Sequence, residues 1–503
     1  MPAAVAVVAL AAIGGIAELG HPAAANSGSA SIASRQVAVT SAARACPPTA
    51  GNGSGPVALI AGLGPVSATA GRGAARGQAE LTALPMAGQS LRAPGPLRAQ
   101  TPGALSLLTV PASPSTATST STSTSTSTST SGAPAAQGWS VSATGAMARA
   151  VEAELAQGSG VGSVRCGEPG SDTWFLGPGQ RSGASQVQLD LMNIDSLAAS
   201  VDVSVITDAG QAQAGNDTGI TVPPHQTVTE SLSGMASGSS VIAVEVHTSI
   251  GRVAADVSVS PAQGGTASWL PAAAGPSTQL VVPGVPPSGS AAGLVLAVPG
   301  TTSAEVNVVA ITPQGRYRPF GSQPVELPGE SASYTALTPL GGAAALEITS
   351  SVPVAAGVVV PGSGAGAITA AAAPVSEQAV VAGNASGSGL SASVLLSAPA
   401  DPARVRLTEI APASRGGTSV TGSRVVPVTA GRTLAVPVTA PSGAARGSAF
   451  ALVITPLPGS GPVYAARVET RGGGAIVSVL PAASALTTIS LPPVRDSYDA
   501  ISP

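Results

Sequence analysis

Few of the residue types that carry most protein chemistry occur in this chain of 503 residues. It contains two cysteines, Cys46 and Cys166, and three histidines, His21, His225 and His247. Their spacing excludes a CxxC redox motif, and two cysteines with three scattered histidines make a poor zinc site. An even pair of cysteines in an exported chain most often forms a disulfide. We therefore predict a disulfide between Cys46 and Cys166, with a structural role.

Local motifs for catalysis or cofactor binding are missing from the sequence. It has no G-x-S-x-G elbow, no G-x-G-x-x-G after a strand, no HExxH and no EF-hand loop. All 21 basic residues are arginine. This excludes a P-loop lysine, a pyridoxal Schiff base and a Ser–Lys dyad. We expect no catalytic, metal-binding or cofactor-binding residues, and a protein that is not an enzyme.

Scattered histidines and carboxylates are weaker candidates for a site. His225 is predicted to lie in a turn. His247 alternates outward on a predicted strand beside Glu245, where a solvated face is preferred over a binding face. A glycosidase needs two carboxyls across a cleft, and no local motif singles out a pair for that role. The aspartates concentrated in one stretch of the chain are Asp172, Asp190, Asp195, Asp202, Asp208 and Asp217.

The three tryptophans could in principle stack on sugars. Trp139, Trp174 and Trp269 each lie in or beside an apolar strand-like run. Packing in a core or at a junction between modules is therefore the preferred interpretation. Aromatic residues make up only 2% of the chain, so an aromatic-lined carbohydrate groove is hard to build.

Composition limits the class of protein and the kind of partner. Charged residues make up 9% of the chain and the net charge is −3, which lacks the basic footprint of a nucleic-acid-binding protein. The 44% of hydrophobic residues is enough for real cores. The 62 glycines and 45 prolines cut the chain into short elements, which favours strands and turns over long helices.

One stretch of the sequence recurs along the chain. TASWLPAAAGPSTQLVVPGVP (266–286) returns as IVSVLPAASALTTISLPPV (476–494), with a weaker copy at 367–383. DTWFLGPG (172–179) is a fourth relative. The copies are spaced by roughly 100 residues, which indicates internal repetition.

Within each repeat, apolar residues alternate with polar ones. In QVQLDLMN (186–193), Val187, Leu189 and Leu191 face one way while Gln188 and Asp190 face the other. Such alternation with Gly/Pro punctuation predicts half-buried antiparallel strands. We predict an all-β chain of tandem immunoglobulin-like β-sandwich modules of roughly 100 residues. A β-propeller, with each unit counting as about two blades, is the alternative.

The repeat divides the chain into predicted domains. An apolar run at residues 3–17 predicts a signal peptide or an uncleaved membrane anchor. The Ser/Thr tract lacks residues able to form a core, so it is predicted to be a disordered insert. The predicted boundaries are 1–25 (signal peptide or anchor), 35–167 (first β unit, with the insert 113–132), 170–275, 276–375 and 376–494 (β modules) and 495–503 (tail).

The recurring stretch itself is predicted to be the closing strand of one unit, a linker and the first strand of the next. Proline cannot donate to a ladder, so Pro271 and Pro481 should lie at strand ends. Residues 280–282 should pair in a β ladder. The last copy has no following unit, so residues 489–491 must pair with another edge, for which their own unit is the candidate.

The residues RCGEPGSDTWFLGPG (165–179) and SWLPA (268–272) carry a family resemblance. The chain resembles a family of exported actinobacterial proteins classed as a domain of unknown function. Members have an N-terminal hydrophobic segment, a cysteine near the start of the mature chain and a second one before a W-F-x-G strand. The likeness covers residues 36–494 apart from the insert. It implies an exported envelope protein and supplies no activity or site residue.

Two functions follow as expectations. The first is a non-catalytic exported cell-envelope protein with a scaffolding or partner-binding role. The alternative is a binding module for envelope polysaccharide. The expected partner is an envelope protein or polysaccharide and not a nucleic acid, and the expected location is extracellular or in the cell envelope, with a possible N-terminal membrane anchor.

Overall fold

The computed structural model is all-β. No helix within the described residues is long and apolar enough to cross a membrane. The predicted signal peptide or anchor (1–25), the insert (113–132) and the tail (495–503) lie outside the described residues. The structure describes residues 35–48, 56–64, 77–88, 95–99, 101–110, 138–156, 163–182, 184–212, 218–261, 267–287, 292–320, 324–360, 367–384, 389–414, 419–472 and 475–491.

After a first strand, β1 (Arg35–Ala38), the strands fall into four consecutive segments. Segment 1 contains β2 (Ser41–Cys46), β3 (Pro56–Ile60), β4 (Ala79–Leu84), β5 (Leu97–Ala99), β6 (Leu105–Thr109), β7 (Gly138–Thr144), a 3₁₀ turn (Gly145–Ala148), β8 (Glu152–Ala156) and β9 (Ser163–Arg165). Segment 2 contains β10 (Asp172–Pro178), a 3₁₀ turn (Gln180–Ser182), β11 (Ala184–Asn193), β12 (Ala199–Thr207), β13 (Gly210–Ala212), β14 (Ile220–Val222), β15 (Gln226–Ser231), β16 (Val241–Ile250), β17 (Ala254–Pro261) and β18 (Ser268–Leu270).

The second half of the chain continues in the same way. Segment 3 contains β19 (Ser277–Val285), β20 (Gly293–Val298), β21 (Ala304–Thr312), β22 (Gly315–Tyr317), β23 (Val325–Leu327), β24 (Ser331–Ala336), β25 (Ala344–Val360) and β26 (Ala367–Ala370). Segment 4 contains β27 (Ala379–Asn384), β28 (Leu390–Ala398), β29 (Ala403–Ala411), β30 (Val420–Val428), β31 (Arg432–Val438), β32 (Phe450–Pro456), β33 (Tyr464–Arg471), β34 (Ala475–Pro481) and β35 (Ala483–Ser484). The last strand is β36 (Thr488–Leu491).

Each segment divides its strands between two antiparallel sheets in the same order. In segment 1 the sheets run β2-β7-β4-β5 and β6-β3-β8-β9. Segment 2 repeats this order as β10-β16-β12-β13 and β15-β11-β17-β18, with β14 also on β12. In segment 3 the long β25 serves both sheets, and in segment 4 the sheets run β27-β32-β29-β30 and β31-β28-β33-β34. The sequence repeat therefore corresponds to a repeat of strand order.

The sheets of neighbouring segments also pack face to face. Segment 2 contacts segment 1 through a small apolar cluster that includes Met192 and Leu84. It contacts segment 3 through β10 and β16 against β25 and β24, and segment 3 contacts segment 4 through β26 and β19 against β34 and β33. Segment 4 returns to segment 1, where β27 lies against β8 and β3. These contacts make a closed circuit of four segments.

Packing on both faces corrects the expectation that the strands are half-buried. Every residue of β20 is buried, and the same holds for almost all of β27. Asp190, expected on a polar face, is fully buried between segments. The alternation survives on β29, where Arg404 and Arg406 are exposed and their neighbours are buried. Small Ala, Val and Gly side chains suit this arrangement because sheets can approach closely on both sides.

The predicted placement of the recurring stretch is confirmed. Pro271 directly follows β18, and Pro481 is the last residue of β34. Residues 280–282 pair with residues 346–348 of β25. The last copy pairs with another edge, as predicted, but its own unit was the wrong candidate: residues 488–491 pair with residues 35–38 of β1 and not with segment 4. The two-stranded sheet of β1 and β36 belongs to one compact unit, and residues 39–487 form another.

An equivalent turn directly precedes one strand in each of three segments: β15 in segment 2, β24 in segment 3 and β31 in segment 4. His225, Glu330 and Gly431 stand directly before β15, β24 and β31, and all have positive φ, at 54°, 52° and 68°. This confirms that His225 is a turn residue. Only glycine adopts this left-handed conformation without a steric cost from Cβ.

We predict opposite effects from two substitutions in this turn. Glu330→Gly removes a strained Cβ and should raise the free energy of unfolding by up to about 1 kcal/mol, whereas Gly431→Ala should lower it by about 1–2 kcal/mol. Urea denaturation of both variants checks this. Equal effects in the same direction would contradict the assigned equivalence of the turns.

Candidate functional site

Edge strands of segments 1, 2 and 4 surround a cavity of about 310 Å³. Its walls come from β9, β18 and β34 and the residues that follow them. These three strands hold the same position in their segments, at the end of the second sheet. Two of these strands, β18 and β34, belong to the recurring stretch of the sequence, and β9 is their counterpart in segment 1. Its ionisable lining residues are Arg44, Glu152, Arg165, Glu168, Asp172 and Asp256.

The predicted disulfide lies beside this cavity. Cys46, at the end of β2, is bonded to Cys166, directly after β9, and Cys166 lines the cavity. The bond joins the two sheets of segment 1 and closes a sequence separation of 120 residues. In the chain-entropy model such a loop contributes on the order of 4–5 kcal/mol. The prediction of this disulfide is confirmed.

An arginine on β9 ties segment 1 to segment 4. The Nε of Arg165 forms an ion pair with Glu152 on the neighbouring β8. Its Nη1 donates to the carbonyl oxygen of Pro481 at 2.6 Å. Burial raises the pKa of Glu152 above its ordinary value, although the charges of Arg165 and Arg44 act against this.

A second ion pair at the same junction is wholly buried. The Nη1 of Arg467, on β33, lies 2.5 Å from Oε1 of Glu154 on β8, and neither side chain has exposed area. The Nη2 of Arg467 donates to Ser163 at 2.6 Å and to Ser478 at 3.1 Å. Gly383 on β27 donates its amide to Glu154 Oε2 at 2.8 Å and accepts from Arg467 at 3.0 Å. Five strands from two segments, β8 and β9 of segment 1 and β27, β33 and β34 of segment 4, thus meet at one charge pair.

The electrostatics of this pair favour the charged forms of both side chains. Burial alone would raise the pKa of Glu154, but the Arg467 charge and hydrogen bonds from Ser163 and Gly383 hold it below its ordinary value. Burial lowers the pKa of Arg467, and the charges of Glu154 and Glu469 more than offset this. A carboxylate that accepts several hydrogen bonds beside an arginine is stable without water.

Arg467 stands where other segments carry an apolar core residue. In segments 1, 2 and 3, one residue of the strand that pairs with the last strand of the second sheet packs in the core of the sandwich. In segment 4 that position holds arginine, whose guanidinium reaches past β27 into the neighbouring segment. The four pairs are Leu155–Val164, Val257–Leu270, Val358–Thr369 and Arg467–Leu480.

A glycine makes room for this crossing. The pairing of β27 with β32 shifts register between Val381 and Asn384, and Gly383 lies in the irregularity. A Cβ at Gly383 would lie 3.1 Å from Cδ of Glu154. The matching glycine of segment 3, Gly284, has φ +80° and its Cβ would lie 2.4 Å from Cβ of Ala466. The repeated glycine marks where the next segment packs closest.

Two further carboxyls are buried between segments 1 and 2. Asp190 on β11 and Asp256 on β17 are directly paired cross-strand residues, with 0% and 5% of their surface exposed. Burial raises the pKa of Asp190 to about 6, against hydrogen bonds from Thr229 and Gln188. Burial and the neighbouring Asp190 raise the pKa of Asp256 well above its ordinary value.

The remaining candidate residues do not form one site. Trp139 and Trp174 are buried in cores, as expected, while Trp269 is half-buried and lines the cavity. His247 is exposed and pairs with Asp172, Nδ1 to Oδ1 at 2.6 Å. Asp195 forms a surface ion pair with Arg252, and Asp208 accepts from the amide of Ser240. His21 and Asp217 lie outside the described residues. No group of three His, Cys, Asp or Glu within the described ranges could hold a metal ion.

Sequence reasoning missed Glu154, Arg467 and Asp256. A signal was available in "VEAELA" (151–156) and "VYAARV" (463–468), where charges interrupt runs of small apolar residues. Charged residues are almost never fully buried unless they are paired. A charge inside an aligned core strand therefore indicates a buried partner elsewhere in the chain.

We predict strong coupling between Glu154 and Arg467. Glu154→Ala and Arg467→Leu should each cost about 3–5 kcal/mol, because each leaves a buried charge without its partner. The double variant should recover most of that loss, because it leaves no buried charge without a partner, and the other segments carry Leu or Val at the position of Arg467.

The matched control is Arg252→Ala, which breaks an exposed ion pair and should cost less than about 1 kcal/mol. Urea denaturation of the native protein, the two single variants and the double variant measures the coupling between Glu154 and Arg467. Additive losses in the double variant would show that the two charges do not interact in the folded protein.

The Asp190 carboxyl predicts how stability depends on pH. Its folded pKa of about 6 exceeds the ordinary 3.8, so the folded state holds the proton more tightly. Stability should therefore fall as pH rises from 3.8 through about 6. Asp190→Asn should reduce this fall, measured as melting temperature against pH. An unchanged pH profile in the variant would rule out Asp190 as its source.

Comparison with known proteins gives a family without an assigned function. The model of a family of unknown function, DUF5719, matches residues 115–439, more than half of the chain. The match starts before β7 and ends just after β31. A search of curated proteins finds no match. The chain belongs to the DUF5719 family of proteins of unknown function.

Proposed function

We propose that this protein is a non-catalytic, exported scaffold of the actinobacterial cell envelope that binds partners through its loops and sheet edges. The observation that carries the proposal is the tight closure of the four-segment circuit. The Arg467–Glu154 and Arg165–Glu152 pairs fix segment 4 on segment 1, and a disulfide fixes the two sheets of segment 1. A framework tied in this way holds its loops at constant positions, which partner binding needs.

The segments are proposed to be immunoglobulin-like sandwiches. Consecutive strands such as β2 and β3 lie in different sheets, as in a sandwich, whereas a propeller blade is one four-stranded sheet. The closed circuit of sheets is the feature that favours the propeller alternative. In either form the sheet faces are covered, so loops and strand edges remain for partners.

Export is supported by the disulfide, because disulfides persist in oxidising compartments. We predict that the protein in its source cells fractionates with the envelope or the medium, with Cys46 and Cys166 oxidised. Alkylation with and without a reductant, followed by mass mapping, measures this. A cytoplasmic protein whose two thiols react without a reductant would contradict the proposal.

Partner binding is tested in intact cells. Cross-linking at the cell surface should trap the 47.8 kDa chain in a larger defined species. The fully exported Glu154→Ala variant, in which closure is broken, should lose that species, while Arg252→Ala retains it. A chain that stays monomeric in all three cases would contradict a scaffolding role.

Binding of envelope polysaccharide is the second candidate. It is favoured by Trp269, which lines the cavity together with polar side chains. Co-sedimentation of the purified protein with insoluble cell-wall polysaccharide tests it. Sedimentation that Trp269→Ala abolishes and Trp139→Phe leaves intact supports this candidate, and no sedimentation of the native protein rules it out.

A further inference from the structure

Most charges around the cavity are already matched. The guanidinium of Arg165 pairs with Glu152, and Arg44 lies 3.4 Å from Glu168. Asp172 is paired with His247 outside the cavity. Of the ionisable residues that line the cavity, this leaves Asp256 without an opposite charge.

One carboxyl oxygen of Asp256 also has no hydrogen bond within the described structure. Its side chain is 5% exposed, and its Oδ2 has no partner among the described residues. The neighbouring Asp190 offers no help, because it accepts from Thr229 at 2.7 Å and brings a second carboxyl. A buried carboxyl without a donor is costly to the fold. Such a group in a cavity wall is suited to a ligand that donates to it.

An unpaired donor belongs to the neighbouring strand in the same cavity wall. The indole Nε1 of Trp269 is buried and has no partner within the described structure. Trp269 pairs across the sheet with Ser258, two residues along β17 from Asp256. Both residues line the same cavity. A matching ligand therefore carries a donor for the carboxyl and, close by, an acceptor for the indole N–H.

Charge distinguishes a neutral ligand from a cationic one. A hydroxyl could satisfy both hydrogen bonds but would leave the cavity without a cation for Asp256. An ammonium donates to the carboxylate with charge assistance, and the adjacent indole ring attracts cations. We propose that this cavity binds a small ligand bearing a primary ammonium group next to an oxygen atom, with Asp256 accepting from the ammonium and Trp269 donating to the oxygen.

The cavity volume limits the size of this ligand. About 310 Å³ lies at the lower end of the range for small-molecule sites. It accommodates one sugar ring or one amino acid. Amino sugars and amino acids both carry an ammonium beside an oxygen, so the shared chemistry fits either source.

Binding should be linked to a proton. Burial and the neighbouring Asp190 raise the pKa of the Asp256 carboxyl well above its ordinary value. Pairing with an ammonium favours the ionised carboxylate, so over the pH range in which the free carboxyl holds a proton, affinity should rise with pH by up to about tenfold per pH unit. The charged groups facing Asp256 across the cavity and the sheet are Asp190, Arg44, Glu152, Arg165, Glu168 and Asp172.

The test is titration calorimetry of the full chain with D-glucosamine, L-alanine and D-glucose between about pH 5 and 7, where both amines stay protonated. At least one amine should bind ten times more tightly than glucose, with affinity rising with pH. Binding of glucosamine alone identifies an amino sugar, binding of alanine alone identifies an amino acid, and binding of both identifies recognition of the ammonium unit. Equal binding of glucose, or no binding by either amine, overturns the proposal.

Variants of the two contact residues complete the test. Asp256→Asn keeps the shape of the side chain and removes its charge. It should abolish both the preference for amines over glucose and the pH dependence of amine binding. Trp269→Phe should weaken amine binding several-fold without changing the pH dependence. Asp195→Asn, which breaks a surface ion pair with Arg252 outside the cavity, is the control and should bind as the native protein does. If a folded Asp256→Asn protein still prefers amines to glucose, Asp256 is not the acceptor of the ammonium group. This conclusion does not depend on whether the protein is a scaffold.

Discussion

The buried ion pair of Arg467 and Glu154 is the constraint on which the rest of the structure depends. Two charges taken out of water are stable only when they are paired and their remaining hydrogen-bonding groups are satisfied. Ser163, Ser478 and Gly383 supply partners for the Nη groups of Arg467 and for the Glu154 carboxylate, whereas the Nε of Arg467 has no partner among the described residues. Because the partners come from both ends of the circuit, the pair requires segment 4 to lie on segment 1. The ion pair therefore specifies an arrangement that apolar packing alone would leave less defined.

The closed circuit explains the composition of the chain. Sheets that are covered on both faces need small side chains, and Ala, Val and Gly dominate where neighbouring segments meet. The apolar cluster between segments 1 and 4 consists of Ala, Val, Ile and Leu residues, such as Ala58, Ile60 and Val380. Glycines at the end of the first strand of a segment, such as Gly284 and Gly383, allow the closest approach. Few aromatic residues fit such narrow spaces.

Closure also explains the cavity. The last strands of the second sheets of three segments, β9, β18 and β34, come to a common place, and these edges do not fill the space between them. Charged side chains line the gap, and most are matched within the protein. Asp256 is the exception. The ion pairs of segment 1 at its junction with segment 4 and the unpaired carboxyl oxygen of Asp256 therefore both lie where segments meet.

Local patterns in the sequence predicted the local features of this fold. The all-β class, the strand ends at Pro271 and Pro481 and the Cys46–Cys166 pair followed from proline chemistry, periodicity and cysteine number. The positive φ of His225 matched its place in a repeated turn. Each of these depends on neighbouring residues or on a simple count.

The long-range features could not be read in the same way. Glu154 and Arg467 are 313 residues apart, and nothing in the sequence marks them as partners. The expected polar face of β11 assumed that the second face of each sheet meets water, and packing against another segment removed that water from Asp190. The pairing of β36 with β1 likewise depends on which free edge is near, which a repeat pattern does not contain.

The exchange rate of one backbone amide tests the closure most directly. The Gly383 amide lies at the register shift of β27 and donates to the Glu154 carboxylate, so its protection reports the contact between segments 4 and 1. Hydrogen–deuterium exchange at single-residue resolution should find this amide as slow as those of the β32 core, and at least about 100-fold faster in Glu154→Ala. Rapid exchange of Gly383 in the native protein, unchanged by the substitution, would contradict the closed circuit.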